Sequence, residues 1–233
     1  MRAATKPGIL RYTAGQRANH WLTAIMFILL AASGLAFFHP AFFFLVHLLG
    51  GPQWARILHP FIGVVMFVSF FILALRLWSY NAMKPVDRQW LKQFDDVVMN
   101  RDDLLPPIGR YNAGQKILFW VIVVSMILLL LTGLVIWRSI FGVFFPVPVQ
   151  RVAVLIHAIS AFVLIAGIIV HIYAAIWVKG SIRSMTRGTV TRAWARHHHE
   201  GWYEEVTGDR SVSRARADAR TDPRAEPRSE PVL

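Results

Sequence analysis

The stretch 152-VAVLIHAISAFVLIAGIIVHIYAAIWV-178 decides the fold of this chain. It is longer than the roughly 20 apolar residues that cross a bilayer. Its two histidines, His157 and His171, stand fourteen residues apart. At about 100° and 1.5 Å per residue they share one helix face and lie roughly 21 Å apart in depth. Ionisable groups inside a membrane segment are costly and usually functional, so two imidazoles at two depths indicate two stacked metal centres.

Three further segments resemble this one, and together they predict an all-α integral membrane protein with a four-transmembrane-helix bundle. The predicted spans are 20–38, 57–78, 116–137 and 152–178. Only 16% of the residues are charged, against about a quarter in soluble domains, and the mean hydropathy is +0.46. Segment 41–50 is apolar but too short to cross, which predicts an interfacial helix or a cap over the bundle.

The basic residues predict the orientation. The net charge of +12 is concentrated before the first span, between the second and third spans, and after the fourth. By the positive-inside rule both termini are therefore cytoplasmic. Because these charges flank apolar spans, they indicate membrane lipid as the neighbour and no nucleic acid. The domains expected are a cytoplasmic N-terminal segment 1–19, the membrane domain 20–178, a cytoplasmic basic segment 179–203 and a disordered tail 204–233.

Four histidines in or beside the spans sort into two pairs by depth. In the predicted topology His20 and His171 lie near the cytoplasmic face, and His59 and His157 near the outer face. Each pair could ligate one haem iron from both axial sides, which leaves no open coordination position and suits electron transfer. His20 or His59, taken alone, would be more typical of an interfacial or hydrogen-bonded bundle residue than of a haem ligand. The chain has no cysteine, which excludes covalent haem attachment and cysteine-ligated iron–sulfur clusters within it.

Two arginines precede histidines by one helical turn. Arg17 and His20 form one Arg-x-x-His motif, and Arg56 and His59 form another. An arginine nearer the water is a natural partner for a haem propionate, although a snorkelling membrane-edge anchor would look the same. Pro60 is expected in the first turn of span two, where proline is tolerated.

The remaining histidines carry no depth partner. His39 and His47 are expected to pack at the interface. The run from His197 to His199 is expected on a solvated basic face, although such a run can also bind metal.

The chain closely resembles the cytochrome b556 (gamma) subunits of bacterial respiratory formate dehydrogenases. The resemblance runs from about residue 11 to about residue 203, and the tail does not share it. The motifs that carry it, in order, are 17-RANHW-21, 56-RILHPFIG-63, 110-RYNAGQK-116, 134-LVIW-137, 155-LIHA-158, 171-HIYAAIWVKGSI-182 and 192-RAWARHHHEGWY-203.

The resemblance implies two haems b and a quinone site. The residues matching His59 and His157 hold the outer haem in that family, and those matching His20 and His171 hold the inner one. Quinone, either menaquinone or ubiquinone, would bind beside the inner haem. The residues implied there are Asn112, Gly114, Gln115 and His171. Read from the residues alone, Asn112 and Gly114 are more typical of ordinary turn and helix-start residues than of a quinone site.

The resemblance also implies partners and a location. An iron–sulfur (beta) subunit and a molybdenum- or tungsten-pterin catalytic (alpha) subunit would oxidise formate outside this chain. The chain would then be the quinone-reducing electron-transfer subunit of a protonmotive redox loop in formate respiration, with no catalytic residue for formate. It would be a multi-pass protein of the bacterial cytoplasmic (inner) membrane, in a trimer of heterotrimers.

Two alternatives remain open at this stage. One is a cytochrome b subunit of a nickel–iron hydrogenase or another molybdoenzyme, which would share the ligands and differ in the partner. The other is a haem-free membrane anchor or transporter, for which internal repeats and broken helices would be typical.

Overall fold

The computed structural model describes residues 8–99, 101 and 104–211. Nearly all of its regular structure is helical. The α-helices are α1 (Ala14–Phe38), α2 (Pro52–Leu77), α3 (Pro85–Lys92), α4 (Phe94–Val98), α5 (Ala113–Ile136), α6 (Val147–Trp177), α7 (Ser181–Thr186), α8 (Arg192–His198) and α9 (Glu200–Thr207). Shorter 3-10 helices cover Pro40–Leu49, Trp78–Asn81 and Gly142–Phe144. Two strands, β1 (Ile9–Leu10) and β2 (Thr189–Val190), pair as a small sheet.

Four helices, α1, α2, α5 and α6, are long and apolar enough to cross a membrane. They confirm the predicted four-helix membrane fold. A continuous apolar stretch must satisfy its backbone groups internally in lipid, and the α-helix does this within one segment. Each helix begins before the predicted span, because its first turns contain polar residues that a hydropathy criterion leaves out. In α1, for example, Thr13 and Gln16 form a reciprocal capping box at the helix start.

The expected place of Pro60 at the start of the second span is wrong. Helix α2 begins at Pro52, which follows Gly51, so Pro60 lies in the third turn of a continuous helix. Proline there removes the backbone bond to the carbonyl of Arg56 and crowds it. The proline that serves as a helix-start residue is Pro52, whose φ is fixed by its ring and whose missing N–H costs nothing there.

The contacts divide the chain into two units, each compact by itself. The first, called here the membrane unit, comprises Leu10–Met83 and Ala113–Val190. Within it α1 packs against α2 and α5 packs against α6, while α2 also contacts α5 and α1 contacts α6. Met66, Met126 and Leu164 form an apolar cluster with side chains from all four helices. On α6, Leu164 lies midway between His157 and His171, so this cluster fills the level between the two histidines.

The short apolar segment after α1 belongs to the membrane unit. It forms the 3-10 helix Pro40–Leu49, which contacts α1 and α2. Its Val46 is fully buried together with Ala36 and Ala55, one from each neighbouring helix. The small alanines leave room for Val46, so this segment covers the ends of α1 and α2.

Of the described residues, the second unit contains 8–9, 84–99, 101, 104–112 and 191–211. Its helices α3, α4, α8 and α9 are short, and its buried side chains include Trp90, Ile108, Trp202 and Tyr203. The prediction of a disordered tail from residue 204 is wrong for its first residues. Helix α9 continues to Thr207 because Trp202 and Tyr203 anchor it, and Gly208 ends it in the left-handed conformation. The rest of that tail, 212–233, lies outside the described residues.

Candidate functional site

His59 on α2 and His157 on α6 face each other in the membrane unit. Their ring centres are 6.5 Å apart and the ring planes are inclined by 55°. Both side chains are half-buried. These two residues are the ones that the depth argument paired near the outer face.

His20 on α1 and His171 on α6 form the other facing pair. Their ring centres are 6.3 Å apart with the planes inclined by 47°. His20 is half-buried and also meets the edge of Trp21 at 5.4 Å, whereas His171 is exposed at the protein surface. The two pairs thus occur at the two ends of the helix that carries His157 and His171.

The spacing within each pair fits one metal between two imidazoles. A metal–imidazole bond of about 2.0 Å on each side, plus the distance from nitrogen to ring centre, puts two trans ring centres roughly 6.3 Å apart. The observed separations, 6.3 and 6.5 Å, match that value. Direct ring stacking would instead bring the planes parallel and closer, so the geometry suits axial ligation of a metal by each pair.

A hydroxyl contacts Nδ1 of each ring in the His59–His157 pair. Ser33 Oγ lies 2.7 Å from His59 Nδ1, and Thr132 Oγ1 lies 2.9 Å from His157 Nδ1. Sequence reasoning missed both hydroxyls. The signal that could have found them is the repeat of Ser33-Gly34-Leu35 near the end of α1 as Thr132-Gly133-Leu134 near the end of α5.

The glycines next to these hydroxyls lie beside the same rings. A Cβ atom on Gly34 would be 3.7 Å from His59 Cε1, and one on Gly133 would be 3.5 Å from His157 Cε1. These are ordinary van der Waals distances, so a methyl group would fit beside each ring. The two glycines therefore bring the backbones of α1 and α5 close to the rings of His59 and His157.

The His20–His171 pair has a different environment. His20 Nδ1 is buried and, among the residues that the structure describes, has no hydrogen-bond partner. The neighbouring Asn19 instead joins α1 to α2, because its Nδ2 donates to Ser69 O at 2.7 Å. Thr23 Oγ1 and Ser69 Oγ are 2.8 Å apart in the same polar contact. This network fixes the α1 backbone one residue before His20.

The two arginines of the Arg-x-x-His motifs differ in their surroundings. Arg17 donates from Nη1 to Tyr12 O at 3.1 Å, and its guanidinium lies against Gly188. Gly188 has φ of +81° and its carbonyl accepts from the backbone of Arg11 at 2.8 Å, so only glycine suits that close approach. Arg56 is exposed on α2. A guanidinium has five donors, so the bond of Arg17 to Tyr12 leaves others for a carboxylate.

Three of the residues implied in quinone binding lie at the start of α5, whereas the fourth, His171, is on α6 facing His20. Gly114 and Gln115 are in the first turn of α5, within the membrane unit, and Asn112 is the residue before the helix, assigned to the second unit. Two contacts that sequence reasoning missed hold this helix start to the end of α2. Lys116 Nζ donates to Ala82 O at 3.2 Å, and Trp120 Nε1 donates to Asn81 O at 3.1 Å.

The expectation that the histidine run lies on a solvated face is wrong for His199. Its side chain is buried, its Nδ1 donates to Gly109 O at 3.0 Å, and its ring centre is 5.1 Å from that of Trp194. Nearby, the backbone N–H of Gly201 donates to Ile108 O at 3.0 Å. His199 therefore fastens the loop at 108–109 within the second unit. His39, by contrast, is exposed and caps the next 3-10 helix by accepting from Ala41 N.

Comparisons with known proteins identify similar chains. Residues 11–188 match the family model described as prokaryotic cytochrome b561. The chain is 50% identical over 198 residues to the formate dehydrogenase cytochrome b556(fdo) subunit of Escherichia coli K12, covering 85% of this chain and 93% of that protein. It is 45% identical over 197 residues to the formate dehydrogenase cytochrome b556 subunit of Haemophilus influenzae, covering 84% and 83%. The nitrate-inducible cytochrome b556(Fdn) subunit of E. coli K12 is 42% identical over 198 residues, covering 85% and 91%.

Proposed function

The chain belongs to the prokaryotic cytochrome b561 family, among the cytochrome b556 subunits of formate dehydrogenases, and from that premise we propose that it carries electrons across the membrane to a quinone. Electrons would enter from an iron–sulfur partner, pass through two b haems and reach quinone at the cytoplasmic side. This proposal rests on two observations of the same kind. His20 faces His171 and His59 faces His157, with ring centres 6.3 and 6.5 Å apart, a separation that leaves room for one metal between the two rings.

The two histidine pairs support a proposal for the haem ligands. His59 and His157 would hold one haem, and His20 and His171 the other. A haem bound at each pair would supply a one-electron carrier, and two protein ligands to its iron would favour electron transfer over substrate binding. The chain's own part is to keep the imidazoles facing and to exclude water. The apolar cluster around Leu164 serves that purpose at the level between the two pairs.

Arg17 and Arg56 are the proposed partners of the haem propionates. Each lies one helical turn from a ligand on the side nearer the helix start. A guanidinium matches a carboxylate in shape and charge, and at a membrane edge both groups remain partly solvated. Arg17 is supported further by its bond to Tyr12 O, which holds the side chain in one place.

The orientation proposed is that of the positive-inside rule, with both termini cytoplasmic. His59 and His157 would then lie toward the outside, and His20 and His171 toward the cytoplasm. Quinone would bind near His171, with Asn112 in contact and Gly114 and Gln115 lining the site. The exposed ring of His171 supports this assignment, because a ligand that also meets a substrate needs an accessible edge. Protons for the quinone would come from the cytoplasm, so electron transfer inward would separate charge.

Formate oxidation is assigned to partner subunits. Because the sequence has no cysteine, it cannot ligate iron–sulfur clusters of the usual kind, which supports a separate iron–sulfur subunit. A molybdenum- or tungsten-pterin subunit would complete the complex, and a trimer of such complexes is the proposed assembly. The location proposed is the bacterial inner membrane.

A reduced-minus-oxidised absorbance spectrum of the purified chain tests the haem assignment. We expect an α band typical of b haem and about two haems per chain, because there are two ligand pairs. His157→Ala should reduce the content to one, since it removes one axial ligand. His47→Ala is the matched control: His47 is exposed and lies outside both pairs, so both haems should remain. Absence of haem from a well-folded preparation would refute the proposal.

Co-purification tests the partner assignment. A tagged chain expressed with its native neighbours should bring down an iron–sulfur subunit and a pterin subunit that oxidises formate. Recovery of a nickel–iron hydrogenase instead would retain the haem assignment and replace the partner.

A further inference from the structure

Ser33 and Thr132 each make hydrogen-bond contacts of two kinds in the membrane unit. Ser33 Oγ lies 2.8 Å from Leu29 O and 3.2 Å from Leu30 O, and Thr132 Oγ1 lies 2.6 Å from Leu128 O and 3.4 Å from Leu129 O. These are the bonds that helical hydroxyls commonly make to the carbonyls three and four residues earlier. The other contact of each hydroxyl is to a histidine Nδ1. Ser33 is 1% exposed and Thr132 is 7% exposed, so water does not compete for either hydroxyl.

These contacts favour one tautomer of each ring. A hydroxyl has one hydrogen, and with the carbonyls of the preceding turn as its acceptors the oxygen faces the imidazole with a lone pair. The imidazole is then the donor, and its hydrogen is on Nδ1 in His59 and in His157. In a neutral ring Nε2 is consequently bare, with its lone pair available to a metal.

The same contact, between a helix hydroxyl and a histidine Nδ1, occurs twice, once in each helix hairpin. Ser33 on α1 faces His59 on α2, and Thr132 on α5 faces His157 on α6. In both hairpins the residue after the hydroxyl is glycine, whose missing side chain gives the ring its space. Both rings of one pair are therefore oriented and polarised in the same way.

Among the described residues, the His20–His171 pair has no such hydroxyl contact. His20 Nδ1 is buried without a hydrogen-bond partner, and His171 has no ring hydrogen bond within the described part of the chain. A hydrogen bond from Nδ1–H to an acceptor raises the basicity of the imidazole as a metal ligand. A more basic ligand stabilises ferric iron over ferrous iron, which lowers the reduction potential. The two pairs would thus give their irons different potentials.

Resting on the haem assignment proposed above, we infer that Ser33 and Thr132 are positioning residues that fix the Nδ1–H tautomer of His59 and His157 and lower the potential of the haem between them. This haem is the one proposed to receive electrons first. A lower potential there makes transfer to the haem at His20 and His171 downhill. The direction of electron flow is then set in part by two hydroxyls that touch neither haem iron nor quinone.

Redox titration of the purified, haem-loaded chain tests this inference. The variants are Ser33→Ala, Thr132→Val and their combination, and the step lost in His157→Ala identifies the haem concerned. For each hydroxyl removed, the ratio of ferric to ferrous haem at a given potential should fall by up to about tenfold, which is a rise of up to about 59 mV for one electron. The second haem should keep its potential. The ferric electron paramagnetic resonance signal should change for the first haem only.

Conservative and control variants separate positioning from packing. Thr132→Ser and Ser33→Thr keep the hydroxyl and should retain the native potential. Thr186→Val is the matched control, because Thr186 also bonds the carbonyl four residues earlier, at 3.2 Å, and lies in α7, outside both histidine pairs.

The possible outcomes divide as follows. Selective loss of the haem at His59 and His157 in the double variant would also support the inference, because those rings would no longer be held with Nε2 toward the iron. An unchanged potential and resonance signal in the double variant would overturn it, as would an equal effect on both haems. Failure of the haem assignment itself is distinct, since the unmodified chain would then contain no haem.

Discussion

The glycine beside His157 offers a quantitative test of how tightly the site is packed. A Cβ atom on Gly133 would lie 3.5 Å from His157 Cε1, which is ordinary contact. Gly133→Ala should therefore keep both haems. Gly133→Val adds two further carbons about 1.5 Å beyond Cβ, and valine in a helix is nearly confined to one rotamer. The added volume has to push the ring or the helix.

The size of the effect follows from that geometry. Overpacking a fitted interior costs about 1–3 kcal/mol, which corresponds to roughly 5- to 150-fold weaker retention of the group held there. A ligand distance tolerates only about 0.2 Å of error, so the ring cannot move away and remain a good ligand. We expect Gly133→Val to lower the haem content from two toward one per chain.

Haem per chain, measured by pyridine haemochrome absorbance and protein assay, is the readout. Gly15→Val is the matched control, because Gly15 lies in α1 and a Cβ there would meet nothing within 4 Å. Full retention of two haems in Gly133→Val would refute the packing argument. Equal loss in both variants would show that valine acts on the helices in general.

Three further outcomes can be measured. Asn112→Ala should slow quinone reduction with both haems retained, because its amide is the proposed quinone contact; unchanged turnover with a soluble quinone would remove it from the site. Asn19→Ala should destabilise the bundle by about 0.6 kcal/mol and by at most about 1.7 kcal/mol, the mean and the maximum for side-chain hydrogen bonds between membrane helices, since it removes the bond to Ser69 O. Thermal unfolding in detergent gives the value, and an unchanged stability would contradict a role for this bond. His199→Phe should destabilise the second unit by about 1–3 kcal/mol because Gly109 O loses its donor; amide hydrogen exchange at 104–112 should rise, while exchange across α5 and α6 serves as the internal control.

The sequence was informative where a property runs along one helix. Spans, their order and the depth of each histidine depend only on position along the chain, and these sufficed to pair His20 with His171 and His59 with His157. The helix starts were less accessible. The first turns of α2 carry polar residues, so hydropathy set the start at 57 although the helix begins at Pro52. That error also misplaced Pro60.

The contacts of His199, Ser33 and Thr132 could not be predicted from their positions along the chain. His199 looked like part of a solvated run because its neighbours are basic, and its burial depends on Trp194 and on a carbonyl far away in sequence. Ser33 and Thr132 looked like ordinary helix residues for the same reason. Only the packing of one helix on another decides which groups a hydroxyl meets.

The sequence by itself determined a four-helix membrane protein with histidines at two depths, because lipid imposes a one-dimensional rule of length and apolarity. The tertiary structure decided the lateral contacts: ring centres 6.3 and 6.5 Å apart, hydroxyls at two of the four rings, and glycines beside them. Lateral contacts depend on how each helix is rotated about its axis against its neighbours. That rotation is set by side-chain packing across all four helices at once, which no single segment contains.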